Sequence, residues 1–260
     1  MALAQEAGTR APPVTARLAC ATDKCKPGES NLLAVVLDVP TGWHVYAPCL
    51  NDSGLPVTVT PQLPEGWQAQ PAPWPTPERL VSPGELLDHV YSGRVTLPLR
   101  VLVPPEAAGT RVTLQAHVTW MACKTACVLG QDDVSLAIDV AAAGAGVIAS
   151  RDEALFHDAR TPVALPERAP LTFAWRDKAV SVQAPGAARL EFYPAADCIR
   201  LPDLLHDGAR EGDVLTLGIE RKDESGTGPL RGVVAVHWTA GKSPSFFLVD
   251  LSIGQPAASY

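Results

Sequence analysis

Hydrophobic and polar positions alternate strictly over long stretches of this chain. In residues 94–103, RVTLPLRVLV, Val95, Leu97, Leu99, Val101 and Val103 share one side, while Arg94, Thr96 and Arg100 share the other. Such a period of two marks a half-buried strand. The same period runs through 111–120, where Val112, Leu114, Ala116, Val118 and Trp120 face one way and Arg111, Thr113, Gln115, His117 and Thr119 the other. Val134, Leu136, Ile138 and Val140 form a third such face, and 14–19, 31–39 and 55–60 alternate less regularly. Short strands punctuated by proline and glycine predict an antiparallel β-sandwich.

The pattern breaks after Val140. AAAGAG is flexible, and 150–160, SRDEALFHDAR, has helical spacing before Pro162, Pro166 and Pro170 stop it. Strand signals resume at 171–176, 179–184, 188–193, 214–220, 230–239 and 245–251, with 201–210 reading as a single helical turn. The expectation is an all-β chain of two small sandwich domains, 1–142 and 169–260, joined by a linker with a short helix at 143–168.

Composition narrows the function classes. Acidic residues outnumber basic ones 28 to 21, for a net charge of −7, so the chain lacks the clustered basic footprint that nucleic acid requires. The longest weakly polar stretch, 140–150, is too short to span a bilayer. Six cysteines, an even count, point to an oxidising compartment. Residues 2–5, ALAQ, read as the small-x-small end of a secretory signal whose apolar core is gone. An exported protein with its signal peptide removed is the expectation.

The chemistry concentrates in Trp120-Met121-Ala122-Cys123-Lys124-Thr125-Ala126-Cys127. Two cysteines four positions apart lie where one alternating strand ends and the next has yet to begin, on a connection at the rim of a sheet. A turn there brings their Cα atoms near the roughly 5.5–6 Å that a disulfide favours. So short a ring gains little loop-closure entropy, and the positive charge of Lys124 favours the thiolate that attacks disulfides. Three readings stand side by side: a redox-exchanging pair, a structural staple, and a metal site in which Cys123 and Cys127 join His44 or His89 around copper or zinc. No nucleophile elbow, Walker loop or dinucleotide fingerprint occurs.

The segment resembles the W-x-x-C-K-x-x-C motif of the N-terminal periplasmic domain of DsbD-type thiol:disulfide interchange proteins, including the ScsB-like branch. Gly42-Trp43-His44-Val45-Tyr46-Ala47 followed by Asp52-Ser53-Gly54-Leu55-Pro56 is similar to the family's G-W-H-x-Y and D-S-G-L-P segments. Leu63-Pro64-Glu65-Gly66-Trp67 and Trp74-Pro75-Thr76-Pro77-Glu78-Arg79 are similar to its L-P-x-G-W and W-P-x-P-E-R runs. Together these cover about residues 30–140 in order. A weaker likeness to the close of the second extracytoplasmic domain of the ScsB-like branch falls at 229–234 and 246–250.

The resemblance implies immunoglobulin-like sandwiches and a thiol-disulfide oxidoreductase, a component of a protein-disulfide reductase, that works without a cofactor because the dithiol is the carrier. Its partners would be a thioredoxin-like protein or domain, a membrane electron-carrier domain and oxidised periplasmic substrate proteins. Cys127 would form the mixed disulfide and Cys123 resolve it. Asp88-His89-Val90-Tyr91-Ser92-Gly93 would be the counterpart of the family's lid, with Val90 in place of a phenylalanine, and His44 and Tyr46 would lie beside the cysteines.

The remaining cysteines have plainer readings. Cys20 and Cys25 flank a short loop and are expected to form a local structural disulfide. Cys49 and Cys198 are expected as unpaired thiols, with a bond across the domain interface as the alternative. The competing functions are a copper- or zinc-binding periplasmic protein and a non-catalytic binding module stapled by its disulfides.

Overall fold

The computed structural model describes residues 14–176, 178–220, 228–239 and 241–251; the expected signal remnant at 2–5 lies outside them. Strands build four sheets. One orders Thr15–Cys20, Ser30–Val39, Gly93–Leu102 and Gln68–Gln70 side by side. Facing it is a larger sheet ordered Lys24–Cys25, Cys127–Val140, Arg111–Cys123, His44–Tyr46, Leu86–Tyr91 and Glu78–Ser82, with Thr58–Gln62 also paired to Arg111–Cys123. The alternating faces meet between these two sheets: Val35, Leu37, Val95, Leu97, Val118 and Trp120 are buried in one cluster, and Leu33, Val101, Leu114 and Ile138 in another. Each such aliphatic side chain contributes about 1.5–3 kcal/mol, so the period of two fixes which side of every strand faces inward.

A second pair of sheets follows. Val163–Ala164, Ser245–Leu251, Leu230–Trp238, Ala187–Pro194 and Ala209–Glu211 make one, and Thr172–Arg176, Ala179–Gln183 and Val214–Gly218 the other. They enclose their own core around Val180, Leu190, Phe192, Leu215, Leu217 and Val234. The helical turn read at 201–210 is Leu204–Asp207, capped by the Asp203 side chain on the His206 N–H.

The segment read as a linker helix contains only a 3₁₀ turn, Glu153–Phe156. It is held as a strap instead. Asp23 N–H donates to Ile148 O, Ser150 N–H to Ala21 O, and the Ser150 hydroxyl to Cys20 O. Arg17 pairs with Asp152 at 2.9 Å, and Thr76 N–H donates to Arg160 O. The two sheet pairs also touch directly. Leu50 N–H donates to Pro194 O, Cys49 bridges Ala195, and the Arg79 guanidinium donates to Leu204 O and Leu205 O. Among the described residues no helix is long and apolar enough to cross a membrane.

Candidate functional site: a half-exposed disulfide at the end of a hairpin

The longest hairpin among the described residues, Arg111–Cys123 with Cys127–Val140, carries the site at its tip. The register is unbroken from Arg111 opposite Asp139 to Cys123 opposite Cys127. Only Lys124, Thr125 and Ala126 turn the chain, and Lys124 N–H donates to Ala126 O at 3.2 Å. Cys123 and Cys127 are joined as a disulfide with their Cα atoms 4.1 Å apart. The alternation that buries Ala122 and Trp120 puts both sulfurs on the outer face of the sheet.

The sulfurs differ in surroundings. Cys127 is exposed and Cys123 is buried. Strand His44–Tyr46 lies beside Arg111–Cys123, with His44 opposite Cys123, and on its other edge Tyr46 lies opposite Val90 of Leu86–Tyr91. The Tyr46 hydroxyl donates to the Cys123 sulfur at 3.3 Å. Tyr46, Val90 and Cys123 pack together with Leu80 and Met121. The His44 ring stands edge-on to Tyr46 at 5.4 Å. Burial raises the Tyr46 pKa, which keeps its hydroxyl protonated and able to donate. Burial also lowers the His44 pKa, against an opposing pull from Asp88.

Tyr46 is braced from behind. Gly54 has φ +72°, and a β-carbon there would fall within the Tyr46 ring, so the backbone lies directly on the aromatic face. Segment 51–54 is tied to strand Leu86–Tyr91 through polar side chains. Ser53 donates its N–H and hydroxyl to the Asp88 carboxylate at 2.8 and 2.6 Å. Asp52 accepts from Leu87 N–H at 2.7 Å, and Asn51 accepts from His89 N–H at 2.7 Å. The Lys124 side chain lies against Gly42, where a β-carbon would meet its Cε at 3.2 Å.

The segment 88–93, expected as a lid, packs Val90 against Cys123 from within a strand. Residues 88–91 belong to a strand in the middle of a sheet, and Asp88, His89, Val90 and Tyr91 are all buried. Alternation divides them. Val90 and Asp88 turn toward Tyr46 and Ser53, whereas His89 and Tyr91 turn away from the disulfide. The His89 ring packs edge-on to Tyr193 at 5.6 Å, with Nδ1 2.9 Å from Leu50 O, and the Tyr91 hydroxyl donates to Pro75 O. The polar residues that read as a loop are buried because 50–53 satisfies them. Leu80 and Met121 were missed. Met121 carried a signal, because it shares the outer face of its strand with Cys123 two residues on.

The other cysteines are thiols. Cys20 and Cys25 are buried and carry no bond in this structure, in contrast to the disulfide expected between them. Their loop is shaped by its bonds to 148–150 instead. The neighbouring Cys25 thiol holds the Cys20 pKa below its ordinary value. The same contact pushes Cys25 up. Cys49 and Cys198 are free and half-buried on either side of Ala195, and burial raises them to about 12 and about 11. Among the described residues no three His, Cys, Asp or Glu side chains gather as a metal set. Of the two histidines in the copper or zinc reading, His44 lies beside Cys123, whereas His89 is turned away from the disulfide.

Comparison with known proteins agrees with the geometry. The family model for the N-terminal part of the thiol:disulfide interchange protein DsbD matches residues 11–138. The N-terminal periplasmic domain of ScsB from Proteus mirabilis superimposes with a TM-score of 0.52 at 14% identity, covering 92% of this chain and 91% of that one. That likeness supports the fold, an immunoglobulin-like sandwich. The E. coli chaperone DraB aligns over 91% of this chain and 98% of its own at 11% identity, but its TM-score of 0.24 is too low to bear on function. Among curated proteins none matches the chain. The hairpin-tip disulfide lies inside the matched residues. Over 11–138 this chain therefore matches the family of DsbD N-terminal domains, whose chemistry is thiol:disulfide interchange.

Proposed function

We propose that the Cys123–Cys127 pair relays two electrons at a time from a thioredoxin-like donor, supplied by a membrane electron-carrier domain, to oxidised periplasmic proteins. In this reading 1–142 is the redox domain, 143–168 the strap, and 169–260 a second small sandwich, all outside the cytoplasm. The observation that carries the proposal is the unequal exposure of the two sulfurs. A donor thiolate reaches Cys127 and bonds to its sulfur. The Cys123–Cys127 bond breaks, and Cys123 leaves as a thiolate that accepts the Tyr46 O–H. The second donor thiol then displaces Cys127, so the donor ends as a disulfide and this protein as a dithiol. Delivery to a substrate reverses the steps: Cys127 attacks the substrate disulfide, and Cys123 resolves the mixed disulfide.

Single-cysteine trapping tests this. In Cys123→Ser the exposed Cys127 attacks a substrate disulfide and nothing resolves the product, so mixed disulfides with periplasmic proteins and with an oxidised thioredoxin-like protein accumulate. In Cys127→Ser the remaining thiol lies under Tyr46 and Val90, and trapping stays at background. Equal trapping by both variants, trapping by Cys127→Ser alone, or trapping by neither overturns the assignment.

A further inference from the structure

We infer that the outer edge of strand Cys127–Val140, over 127–133, is a docking edge that takes up an extended, cysteine-bearing polypeptide segment as an added antiparallel strand. The inference rests on the proposed exchange at Cys127 and specifies how a substrate reaches it.

Hydrogen bonding along the hairpin decides which backbone groups face outward. The Lys124–Ala126 bond makes that pair the hydrogen-bonded one. Cys123 and Cys127 are then a non-hydrogen-bonded pair, as their 4.1 Å Cα separation also requires. Because the register runs without a shift, the pattern alternates down the strand. Even-numbered residues bond to Arg111–Cys123, while Cys127, Leu129, Gln131 and Asp133 aim their N–H and C=O at the opposite edge. The far end of the strand obeys the same parity: Val140 N–H donates inward to Thr110 O, and Ala141 N–H donates outward to Cys25 O. Lys24–Cys25 covers that end alone, opposite Asp139 and Val140. Among the described residues no strand pairs with the outer edge of 127–133.

Exposed edges are ordinarily blunted by charged side chains, proline, a bulge or brevity. This one has no proline and no register shift, its charges Asp132 and Asp133 lie at the end away from the disulfide, and it begins at the attackable sulfur. An added antiparallel strand would place one residue directly opposite Cys127 in a hydrogen-bonded pair, with Cα atoms about 5.5 Å apart. A disulfide favours that separation. A cysteine at that position therefore lies within reach of the Cys127 sulfur on the same face. Leu129, 67% exposed, faces the residue two positions before that cysteine. Asp133, whose carboxylate is hydrogen-bonded to His117 Nδ1 at 2.8 Å and otherwise open to solvent, faces the residue six positions before it. The occupant is thus an extended segment with a cation, then an apolar side chain, then the cysteine. Cys127 thiolate attacks the cysteine's disulfide, forms the mixed disulfide and releases the other substrate sulfur as a thiolate. Cys123 then displaces the segment as its free thiol, leaving this protein oxidised and the substrate reduced.

The test compares reduced wild-type protein with Gln131→Pro, which removes one outward N–H and no hydrogen bond of the hairpin itself. Three probes are used: glutathione disulfide, a peptide with lysine six positions before a glutathione-capped cysteine, and the same peptide N-methylated at alternate residues. Exchange with glutathione disulfide is expected to stay within about twofold in Gln131→Pro. Exchange with the peptide is expected to fall about tenfold, as for loss of one or two hydrogen bonds, and the methylated peptide should show the same low rate on wild-type protein whatever the variant does. Equal rates for the plain and methylated peptides on wild-type protein overturn the docking edge alone. Failure of wild-type protein to exchange with any probe overturns the redox reading beneath it. A self-associating wild type that Gln131→Pro converts to monomer, with peptide exchange unchanged, assigns the edge to a second copy and also overturns the inference.

Discussion

Gly54→Ala adds one carbon and tests whether the Tyr46 cover is held from behind. Two costs combine. A left-handed backbone conformation is unfavourable for alanine by about 1–2 kcal/mol, and Gly54 sits at φ +72°. The new carbon also lands in the Tyr46 ring, and overpacking of this kind costs about 1–3 kcal/mol. Something must move. The backbone at 51–53 is anchored by Asn51 to Ala47 and His89, by Asp52 to Leu87, and by Ser53 twice to Asp88. The ring is held by its hydroxyl contact to the Cys123 sulfur and by apolar packing, not by backbone bonds. Tyr46 is therefore the group that yields, and its departure opens the Cys123 sulfur.

The assay is native alkylation of the reduced protein with iodoacetamide, followed by peptide mapping of Cys123 and Cys127. Wild-type protein should label at Cys127 first. Gly54→Ala should speed Cys123 labelling by tenfold or more, and it should lower unfolding stability by about 2–5 kcal/mol, the sum of the two costs. Gly84→Ala supplies the control. That residue also has positive φ, at +90°, but a β-carbon there meets nothing within 4 Å; it should carry the backbone cost alone and leave labelling unchanged. If Cys123 in Gly54→Ala labels as slowly as in wild type, Tyr46 is not the cover and the bracing argument is wrong.

Two further outcomes follow from the same contacts. Tyr46→Phe keeps the ring and removes the donor that receives the departing Cys123 thiolate; a hydrogen bond to a charged group contributes about 1.5–3 kcal/mol. Reduction of the disulfide by dithiothreitol, followed by stopped flow, should slow about tenfold or more while Cys123 labelling stays slow, and an unchanged rate would remove Tyr46 from the chemistry. The second outcome concerns pH. Burial holds His89 neutral, with its pKa lowered to about 4 from 6.5. The unfolded chain then binds the extra proton between those values, so the stability contribution is complete above about pH 6.5 and is lost as pH falls toward 4, by about 3 kcal/mol in all. Urea midpoints of wild-type protein should fall across that window, and those of His89→Gln should fall less; parallel slopes would refute the assignment to His89.

Much of the fold was legible because alternation is a local property. The long strands at 93–102, 111–123 and 127–140 each bury mainly one face, and the sequence shows it, whereas 30–39 is buried on both faces and alternates less regularly. The short strands did not announce themselves, for a physical reason. Leu86–Tyr91 is covered on both faces, and its polar Asp88 and His89 are tolerated only because Leu50, Asn51 and Ser53 come back to bond with them. That compensation lies some 35 positions away in sequence, and without it Asp-His-Val-Tyr-Ser-Gly reads as a loop. The helical spacing at 150–160 misled in the opposite direction. Its backbone groups near 148–150 bond to the 20–25 loop rather than to one another, so only one 3₁₀ turn forms. At the site, the cysteine spacing and the Gly-Trp-His-x-Tyr segment located the disulfide and Tyr46. The packing of Leu80 and Met121 around the buried sulfur follows from which strands become neighbours, and no local pattern contains that.

The unequal exposure of the two sulfurs has a cause that is visible in the sheet order. Cys123 and Cys127 occupy equivalent places in the hairpin, directly opposite each other on the outer face, so the hairpin alone would treat them alike. The difference arises from what lies on either side. Beside Cys123 runs His44–Tyr46, then Leu86–Tyr91, and these bring the tyrosine ring, Val90 and Leu80 over its sulfur. Beside Cys127 no described strand lies. A neighbour on one edge and none described on the other divides the pair into a buried sulfur beside a hydrogen-bond donor and an exposed sulfur. Any substitution that leaves the hairpin intact but detaches His44–Tyr46 from it should therefore erase the distinction between the sulfurs before it breaks the bond between them.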